Sequence, residues 1–179
     1  MKKIFLLLIV LMLPAPMFAQ MPNIAEQRQA MKKLERWIGT WQGSGWIEYA
    51  PGKRMTFTIT ESIQSRLGGL ALLVEGLGKG KRPGEQEEAI IHEALATVSY
   101  DEREKKYRFV THTEKGHFAI PEIKVTETGW EWGLQFPQGG GFRYTLKISD
   151  KGEWHEKGER SQDGKTWTQF HEMTLKRMK

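Results

Sequence analysis

Polar side chains that interrupt apolar rows are the residues of this sequence best suited to chemistry. Glu61 stands in the alternating row of Met55, Phe57, Ile59 and Ile63, in which the other members are apolar. Burying a polar group without a partner costs roughly 2 to 7 kcal/mol, so a carboxyl group in this row must find one. The partner is either a second side chain, in an interior salt bridge, or the polar group of a bound ligand.

Three polar residues near the C-terminus are expected to face the same interior. Glu156 and Arg160 share the parity of Trp154, and His171 interrupts a second alternating row. If Asp163-Gly164 is a two-residue hairpin turn, Glu156 lies directly opposite His171. Arg160, like Glu61, would then make an interior salt bridge or anchor a polar group of a ligand.

The predicted pair of Glu156 and His171 has two interpretations. Directly opposed residues bring their Cβ atoms within about 5 Å, so the carboxylate can hold one ring N–H of His171. The other ring nitrogen would then face the cavity and contact a ligand or a metal. Alternatively, the two side chains satisfy each other and simply close the wall.

The other histidines are weaker candidates for functional residues. His92 shares a row with Ala94, Ala96 and Val98 and is expected to point inward, where a structural role is the ordinary one. His112 and His117 flank a turn, but two ligands at a hairpin tip make a weak metal site. We therefore predict no metal site and no catalytic residue, and the sequence leaves any cofactor unknown.

The elements that position these residues are one helix and a series of strands. Helical spacing of apolar residues predicts a short amphipathic helix over about 23–38. From residue 40 to about residue 177 the period changes to two, with turn signals between about ten short runs. This pattern predicts an all-β fold, an antiparallel up-and-down barrel of about ten strands preceded by one short helix. Closure would remove exposed edges and enclose room for a small ligand.

The first residues have the order of a secretory signal peptide. Lys2 and Lys3 precede an apolar run that ends near Leu13, and small residues lead to Ala19. The run is shorter than the about 20 residues needed to span a bilayer, so we predict no integral membrane segment. Cleavage after Ala19 would leave a single domain, residues 20–179, and reduce the net charge from +5 to +3.

The composition narrows the function classes further. The chain has no Cys, which excludes thiol catalysis, disulfides and the cysteine of a lipoprotein anchor. An exported chain without that anchor is expected to be periplasmic or secreted. Lys and Arg are interspersed with acids and form no basic stripe, so nucleic acid is not an expected partner. The oligomeric state is left open.

Several motifs resemble known barrel families. The opening Leu34-Glu35-Arg36-Trp37-Ile38-Gly39-Thr40-Trp41 is similar to that of calycin-like barrels, where Gly-x-Trp follows a short helix. The segment of residues 161–167, Ser-Gln-Asp-Gly-Lys-Thr-Trp, resembles the domain of unknown function family 1579. Ser99-Tyr100-Asp101 and Arg143-Tyr144-Thr145 support that resemblance, which covers roughly residues 34–177. It implies a ten-stranded lipocalin-like barrel and no assigned activity.

A more distant resemblance points to haem. The stretch Gly39-Thr40-Trp41-Gln42-Gly43-Ser44-Gly45 also looks like the start of nitrobindins, which bind haem through a His on the last strand. His171 is on the last predicted strand of this chain. The resemblance implies a haem-binding enzyme or sensor with His171 as the axial ligand.

These observations give three hypotheses. The first is an exported, non-enzymatic barrel that binds a small, mostly apolar molecule inside. The second is the nitrobindin-like haem protein, and the third is a structural or envelope-interaction protein whose interior is filled by its own side chains. Gly43, Gly45 and Gly158 leave interior room and favour the first two. The ligand-binding residues predicted for the first are Trp41, Glu61, Trp132, Glu156, Arg160 and His171.

Overall fold

The computed structural model describes residues 21–179. The predicted signal peptide, residues 1–19, lies outside the described residues and stays a prediction. Within residues 21–179, none of the helices has the length and apolar character that crossing a membrane requires.

The N-terminal helix is shorter than predicted and is followed by a separate turn. Helix α1 (Ile24–Lys32) begins at Asn23, whose side chain accepts a hydrogen bond from the Glu26 N–H at 3.1 Å. The chain then tightens, because Leu34 N–H donates to Met31 O, three residues back, and a 3₁₀ turn follows at Glu35–Trp37. This division of the predicted helix over 23–38 brings Leu34 into the core.

The rest of the described chain forms a single antiparallel sheet of eleven strands. They are β1 (Gly39–Ala50), β2 (Lys53–Arg66), β3 (Ala71–Gly80), β4 (Ala89–Asp101), β5 (Lys106–Thr113), β6 (Phe118–Ala119), β7 (Glu122–Val125), β8 (Gly129–Gln135), β9 (Gly141–Ile148), β10 (Glu153–Ser161) and β11 (Thr168–Arg177). The all-β prediction is confirmed, with eleven strands instead of about ten. The extra strand arises at Ile120-Pro121, because proline has no N–H to donate to a ladder.

The sheet is an up-and-down meander whose first and last long strands pair. The spatial order is β6-β5-β4-β3-β2-β1-β11-β10-β9-β8-β7, which makes the short strands β6 and β7 its edges. The sheet curls into a half-barrel, and Phe109 of β5 reaches Trp130 and Trp132 of β8 at ring-centroid distances of 5.7 and 5.4 Å. The apolar face of each strand is thereby turned toward a common interior.

A layer of tryptophans fills the interior at the helix end. Trp37 lies 5.0 Å from Trp154 and 5.8 Å from Trp130 between ring centroids, in edge-to-face geometry. Trp41 packs on Trp154 at 5.8 Å and donates its indole N–H to Trp37 O at 2.8 Å. The segment after α1 therefore caps this end of the interior.

The opposite end of the interior is open. Inward residues of the tryptophan layer are buried, whereas Ile47, Met55, Ile91, Trp132 and Tyr144 toward the other end are only half-buried. We call this open half of the interior the cup. The tryptophan layer forms the floor of the cup. The turns that join β1 to β2, β3 to β4 and β10 to β11 surround its mouth.

Candidate ligand-binding site

Two carboxyl groups lie one layer above the tryptophans. Glu61 of β2 is the cross-strand partner of Trp41, and Glu156 follows Trp154 by two residues on the same face of β10. Glu61 is 8% exposed and Glu156 is 9% exposed. The prediction that both face the interior is confirmed.

His171 meets Glu156, although not in the predicted register. In the β10–β11 ladder, His171 pairs with Gly158 and Glu156 pairs with Met173. The prediction of direct opposition is therefore wrong by two residues, a shift that keeps both side chains on the same face. The two groups are diagonal neighbours, with Nε2 of His171 3.6 Å from Oε1 of Glu156.

The register differs because the connection is a six-residue loop, residues 162–167, and not a two-residue turn. Asp163 organises it by accepting hydrogen bonds from Lys165 N–H at 2.8 Å and from Thr166 N–H at 2.7 Å. These bonds and a hydroxyl bond from Ser161 lower the Asp163 pKa to about 2. The segment predicted as a tight turn is thus an Asp-capped loop at the mouth of the cup.

The ring of His171 is held by aromatic neighbours. Phe57 stacks on it with centroids 5.6 Å apart and planes 13° apart, and Tyr144 meets it edge-on at 5.6 Å. His171 is 9% exposed, and its buried Nε2 atom makes no hydrogen bond within the described chain. Burial lowers the His171 pKa to about 4, so the imidazole is neutral at pH 7.

Burial acts on the carboxyl groups in the opposite direction. It raises the Glu156 pKa to about 8, against a smaller opposing effect of the Trp154 indole N–H. The Glu61 pKa lies well above its usual range because of burial and, secondarily, the charge of Glu156. Trp154 Nε1 itself makes no hydrogen bond of normal geometry. At pH 7 the pair of Glu156 and His171 is therefore mainly neutral and not an ion pair.

Arg160 does not lie inside the barrel. Its side chain is 43% exposed at the rim, where it forms an ion pair with Glu48 and lies 5.8 Å from the ring centroid of Phe170. A register shift after Gly158 leaves Phe170 as the extra residue of β11, next to the mouth. The predicted inward position of Arg160 is wrong, because Arg160 lies near the end of β10 at the rim and its ion pair is with Glu48.

The two predicted tryptophans have different surroundings. Trp41 is 0% exposed, with its indole N–H bonded to Trp37 O and Arg177 over its ring at 4.2 Å. It belongs to the tryptophan layer, which forms the floor of the cup. Trp132 is half-buried and stacks on Tyr144 with centroids 4.4 Å apart and planes 11° apart. Trp132 is thus placed to contact a molecule in the cup.

Glycines on the strands make room for side chains of the protein itself. A Cβ at Gly158 would lie 2.8 Å from Tyr144 and 2.9 Å from His171, and one at Gly76 would lie 2.7 Å from the Glu61 carboxyl. At Gly45 it would meet Phe57 and Met173, both at 2.7 Å. The expectation that Gly43, Gly45 and Gly158 leave empty room is therefore wrong. Their space is occupied, and Gly76 and Gly158 position the polar groups.

Tyr144 and Phe57 also line the site, although they are not among the ligand-binding residues predicted from the sequence. Both lie in alternating rows that correctly predict strands, but their contacts with His171 depend on cross-strand register. Burial, with a smaller effect of Glu156, raises the Tyr144 pKa above its usual range. His92 faces inward on β4 as predicted, and burial lowers its pKa. The sequence does indicate Tyr144, because it lies in the same alternating row as Phe142 and Leu146.

A haem or a metal ion would require a different arrangement of side chains at this site. Among residues 21–179, no three His, Asp or Glu side chains lie close enough together to hold a metal ion. A haem iron needs free access to a His nitrogen. Nε2 of His171 is buried and faces Glu156 at 3.6 Å, while Phe57 covers the ring. In this arrangement the residues do not fit an axial haem ligand.

Comparison with solved structures identifies the fold. The crystal structure of Rv2717c from M. tuberculosis superposes with a TM-score of 0.60 at 13% identity, covering 84% of this chain and 98% of that chain. The S-type phycobiliprotein lyase CPES from Guillardia theta superposes with a TM-score of 0.55 at 10% identity, covering 84% and 93%. The fold is a lipocalin-like barrel.

The sequence comparisons are less informative. No family model matches the chain, and no curated protein matches it. At 10–13% identity, the structural neighbours of this lipocalin-like barrel establish its architecture alone. The predicted lipocalin-like barrel is confirmed, while the resemblances to family 1579 and to nitrobindins are not confirmed.

Proposed function

We propose that this protein is an exported, non-enzymatic barrel that binds one small, mostly apolar molecule in the cup. The observation that carries the proposal is the buried Nε2 atom of His171, which has no hydrogen-bond partner within the described chain. Buried polar atoms are nearly always paired, so an unpaired one at the inner end of an open cavity favours a ligand there.

The wall of the cup supports a mostly apolar ligand. Trp132, Tyr144 and Met55 face inward and are half-buried, so apolar surface inside the barrel remains in contact with solvent. Covering such surface contributes about 25 cal/mol per Å², which favours occupation by an apolar molecule. Glu61, Glu156 and His171 supply the few convergent polar groups that orient ligands in apolar pockets.

The surroundings of His171 favour binding over catalysis. Phe57 and Tyr144 pack on its ring, and a carboxyl oxygen of Glu156 lies 3.6 Å from its Nε2 atom. The hydroxyl of Ser161 is used within the loop, donating to Asp163 and accepting from Gly164 N–H. CPES is described as a lyase. We propose no such reaction for this chain, because no activated nucleophile accompanies the imidazole in the cluster.

Native mass spectrometry of the protein purified from its own host tests this proposal. A reproducible bound mass in the wild type, lost in His171→Phe and retained in His155→Phe, is the expected result. His155 is exposed on the outer face of β10 and serves as the matched control. A wild-type spectrum without any bound mass would support a barrel filled by its own side chains instead.

The same sample tests export. Cleavage after Ala19 gives a mature chain that begins at Gln20, and the intact mass reports this directly. A chain that retains residues 1–19 in the host's envelope fraction or medium would contradict the proposed processing.

A haem-binding role is the second candidate, and it rests on the same unpaired Nε2 atom of His171. It requires Glu156 and Phe57 to move away from the ring. Haem titration would then produce a strong Soret band that His171→Ala removes. Absence of the band in the wild type eliminates this candidate and leaves the apolar-ligand proposal unaffected.

A further inference from the structure

Resting on the proposed function, we infer that the ligand carries a cationic nitrogen, such as an alkylammonium group, that lies against Glu156, Glu61 and His171. Its apolar body would then pack on Trp132 and Tyr144 toward the mouth. The placement of charges and hydrogen-bonding atoms inside the barrel indicates this class of ligand.

The interior has acids but no Lys or Arg to balance them, and burial lowers the pKa of its histidines, His92 and His171. Every Lys and Arg among residues 21–179 is exposed, except Arg108, which is half-buried and paired with Asp101 and Glu104. Arg160, the cation expected inside, is paired with Glu48 at the rim. If Glu61 or Glu156 ionises, no Lys or Arg of the described chain lies beside it, and a ligand from outside can supply the positive charge.

The unpaired histidine atom points to the same location. His171 is 9% exposed, and its Nε2 lies 3.6 Å from Glu156 without a hydrogen bond. An ammonium group has three N–H donors, and a neutral imidazole nitrogen and a carboxylate both accept. A cation that moves the two side chains apart and reaches the buried Nε2 atom can donate to His171 and Glu156 together.

The aromatic surroundings suit a cation as well. Tyr144 and Phe57 both contact the His171 ring, and Trp132 stacks on Tyr144. The faces of aromatic rings attract cations, most strongly when water is excluded. An anionic ligand would instead lie beside two carboxyl groups and the electron-rich ring faces, without a counter-charge.

Binding of a cation must be coupled to proton release. The groups around Glu156 are Glu61 from β2, Tyr144 from β9, His171 from β11 and Trp154 on its own strand, and His92 of β4 interacts with His171. None of them is cationic at pH 7, so Glu156, with a pKa of about 8, is mostly protonated before binding. A cation stabilises the carboxylate, which then accepts from the Trp154 indole N–H, and the displaced proton enters solvent.

Calorimetric titration with three probes of similar shape tests the ligand class. The probes are 2-(1-naphthyl)ethylamine, 2-(1-naphthyl)ethanol and 1-naphthylacetate, which differ chiefly in the charge of the polar end. We expect the amine to bind at least tenfold more tightly than the other two at pH 7.5. Its affinity should increase about tenfold per pH unit between pH 6 and 7.5, as Glu156 ionises more readily.

The variant Glu156→Gln should lose at least tenfold in amine affinity and most of its pH dependence, while its affinity for the alcohol stays within about twofold. Glu131→Gln, at an exposed position on β8, is the matched control and should behave like the wild type. Circular dichroism of both variants checks that they fold.

The outcomes separate this inference from the proposed function. Equal or tighter binding of the alcohol or the acetate overturns the cationic class but supports a ligand-binding cup. A pH-independent amine affinity, or an unchanged affinity in Glu156→Gln, also overturns it. If none of the probes binds, the inference is overturned, and the native mass spectrum decides separately whether the cup has any occupant.

Discussion

The Nε2 atom of His171 lies 3.6 Å from Oε1 of Glu156, across a diagonal of the β10–β11 ladder. Burial lowers the pKa of the imidazole to about 4 and raises that of the carboxyl to about 8. Both groups are thus neutral over much of the range between these values, although their distance would suit an ion pair. This neutral pair at the inner end of an open cup is the basis of the predictions that follow.

The first prediction concerns stability against pH. A raised carboxyl pKa contributes stability that is complete below the unfolded value and is lost as pH rises through the folded value. For Glu156 this window is from 4.5 to about 8, and Glu61 acts in the same direction. The lowered His171 pKa acts oppositely between about 4 and 6.5. We therefore expect urea denaturation to show a shallow decline in stability from pH 5 to 6.5, where His171 opposes the two carboxyl groups, and a steeper decline from pH 6.5 to 8.

The size of the decline has an upper limit of about 1.4 kcal/mol per pH unit for each titrating group. Glu156→Gln should flatten the decline, because an amide does not titrate. A wild type whose unfolding free energy rises from pH 6.5 to 8 would show that Glu156 is ionised and paired in the folded protein.

The second prediction concerns His171→Phe. An unpaired buried nitrogen costs about 1 to 3 kcal/mol, and a phenyl ring retains the contacts with Phe57 and Tyr144. The variant should be as stable as the wild type or more stable by about 1 kcal/mol in urea denaturation. Loss of more than about 2 kcal/mol would mean that the imidazole nitrogen has a structural partner. His155→Phe, on the outer face, is the control.

The third prediction concerns the tryptophan layer. Trp37 is almost fully buried against Trp130 and Trp154, so Trp37→Ala should lower the free energy of unfolding by about 3 to 5 kcal/mol. Trp167 is half-buried and has Arg143 over its ring at 4.3 Å, so Trp167→Ala should cost about 1 kcal/mol. Equal losses in the two variants would contradict a cap formed by Trp37.

The fourth prediction concerns Gly158. A methyl group there meets Tyr144 and His171 closer than 3 Å, so Gly158→Ala should displace both rings and cost about 1 to 3 kcal/mol. Lys157→Ala, exposed on the other face of β10, should cost less than about 0.5 kcal/mol. Near-ultraviolet circular dichroism should report the altered packing of Tyr144. An unchanged spectrum and stability would contradict the close packing.

The alternation of apolar and polar residues predicts much of the fold and shows which side chains of the site face the interior. The rows of Glu61, Glu156 and His171 correctly predict buried polar groups, because side chains alternate strictly along a strand. A register error of two residues does not change the face on which a side chain lies. Glu156 and His171 therefore still meet, although they are not directly opposed.

Register and strand ends could not be predicted from local pattern. The Asp163 side chain builds a six-residue loop from a segment that looks like a tight turn, and Phe170 becomes an extra residue in β11. These two features decide where Arg160 lies, at the rim beside Glu48. The stacking of Tyr144 on Trp132 likewise depends on which residues of β8 and β9 are opposed.

A high-resolution crystal structure of the protein as recovered from its own host tests the central claim most directly. We expect electron density for a bound molecule in the cup, against Trp132 and Tyr144, with a polar atom within hydrogen-bond distance of both His171 Nε2 and Glu156. A cup that contains only water, with His171 Nε2 bonded to that water or directly to Glu156, would contradict the claim that this barrel is a ligand-binding protein.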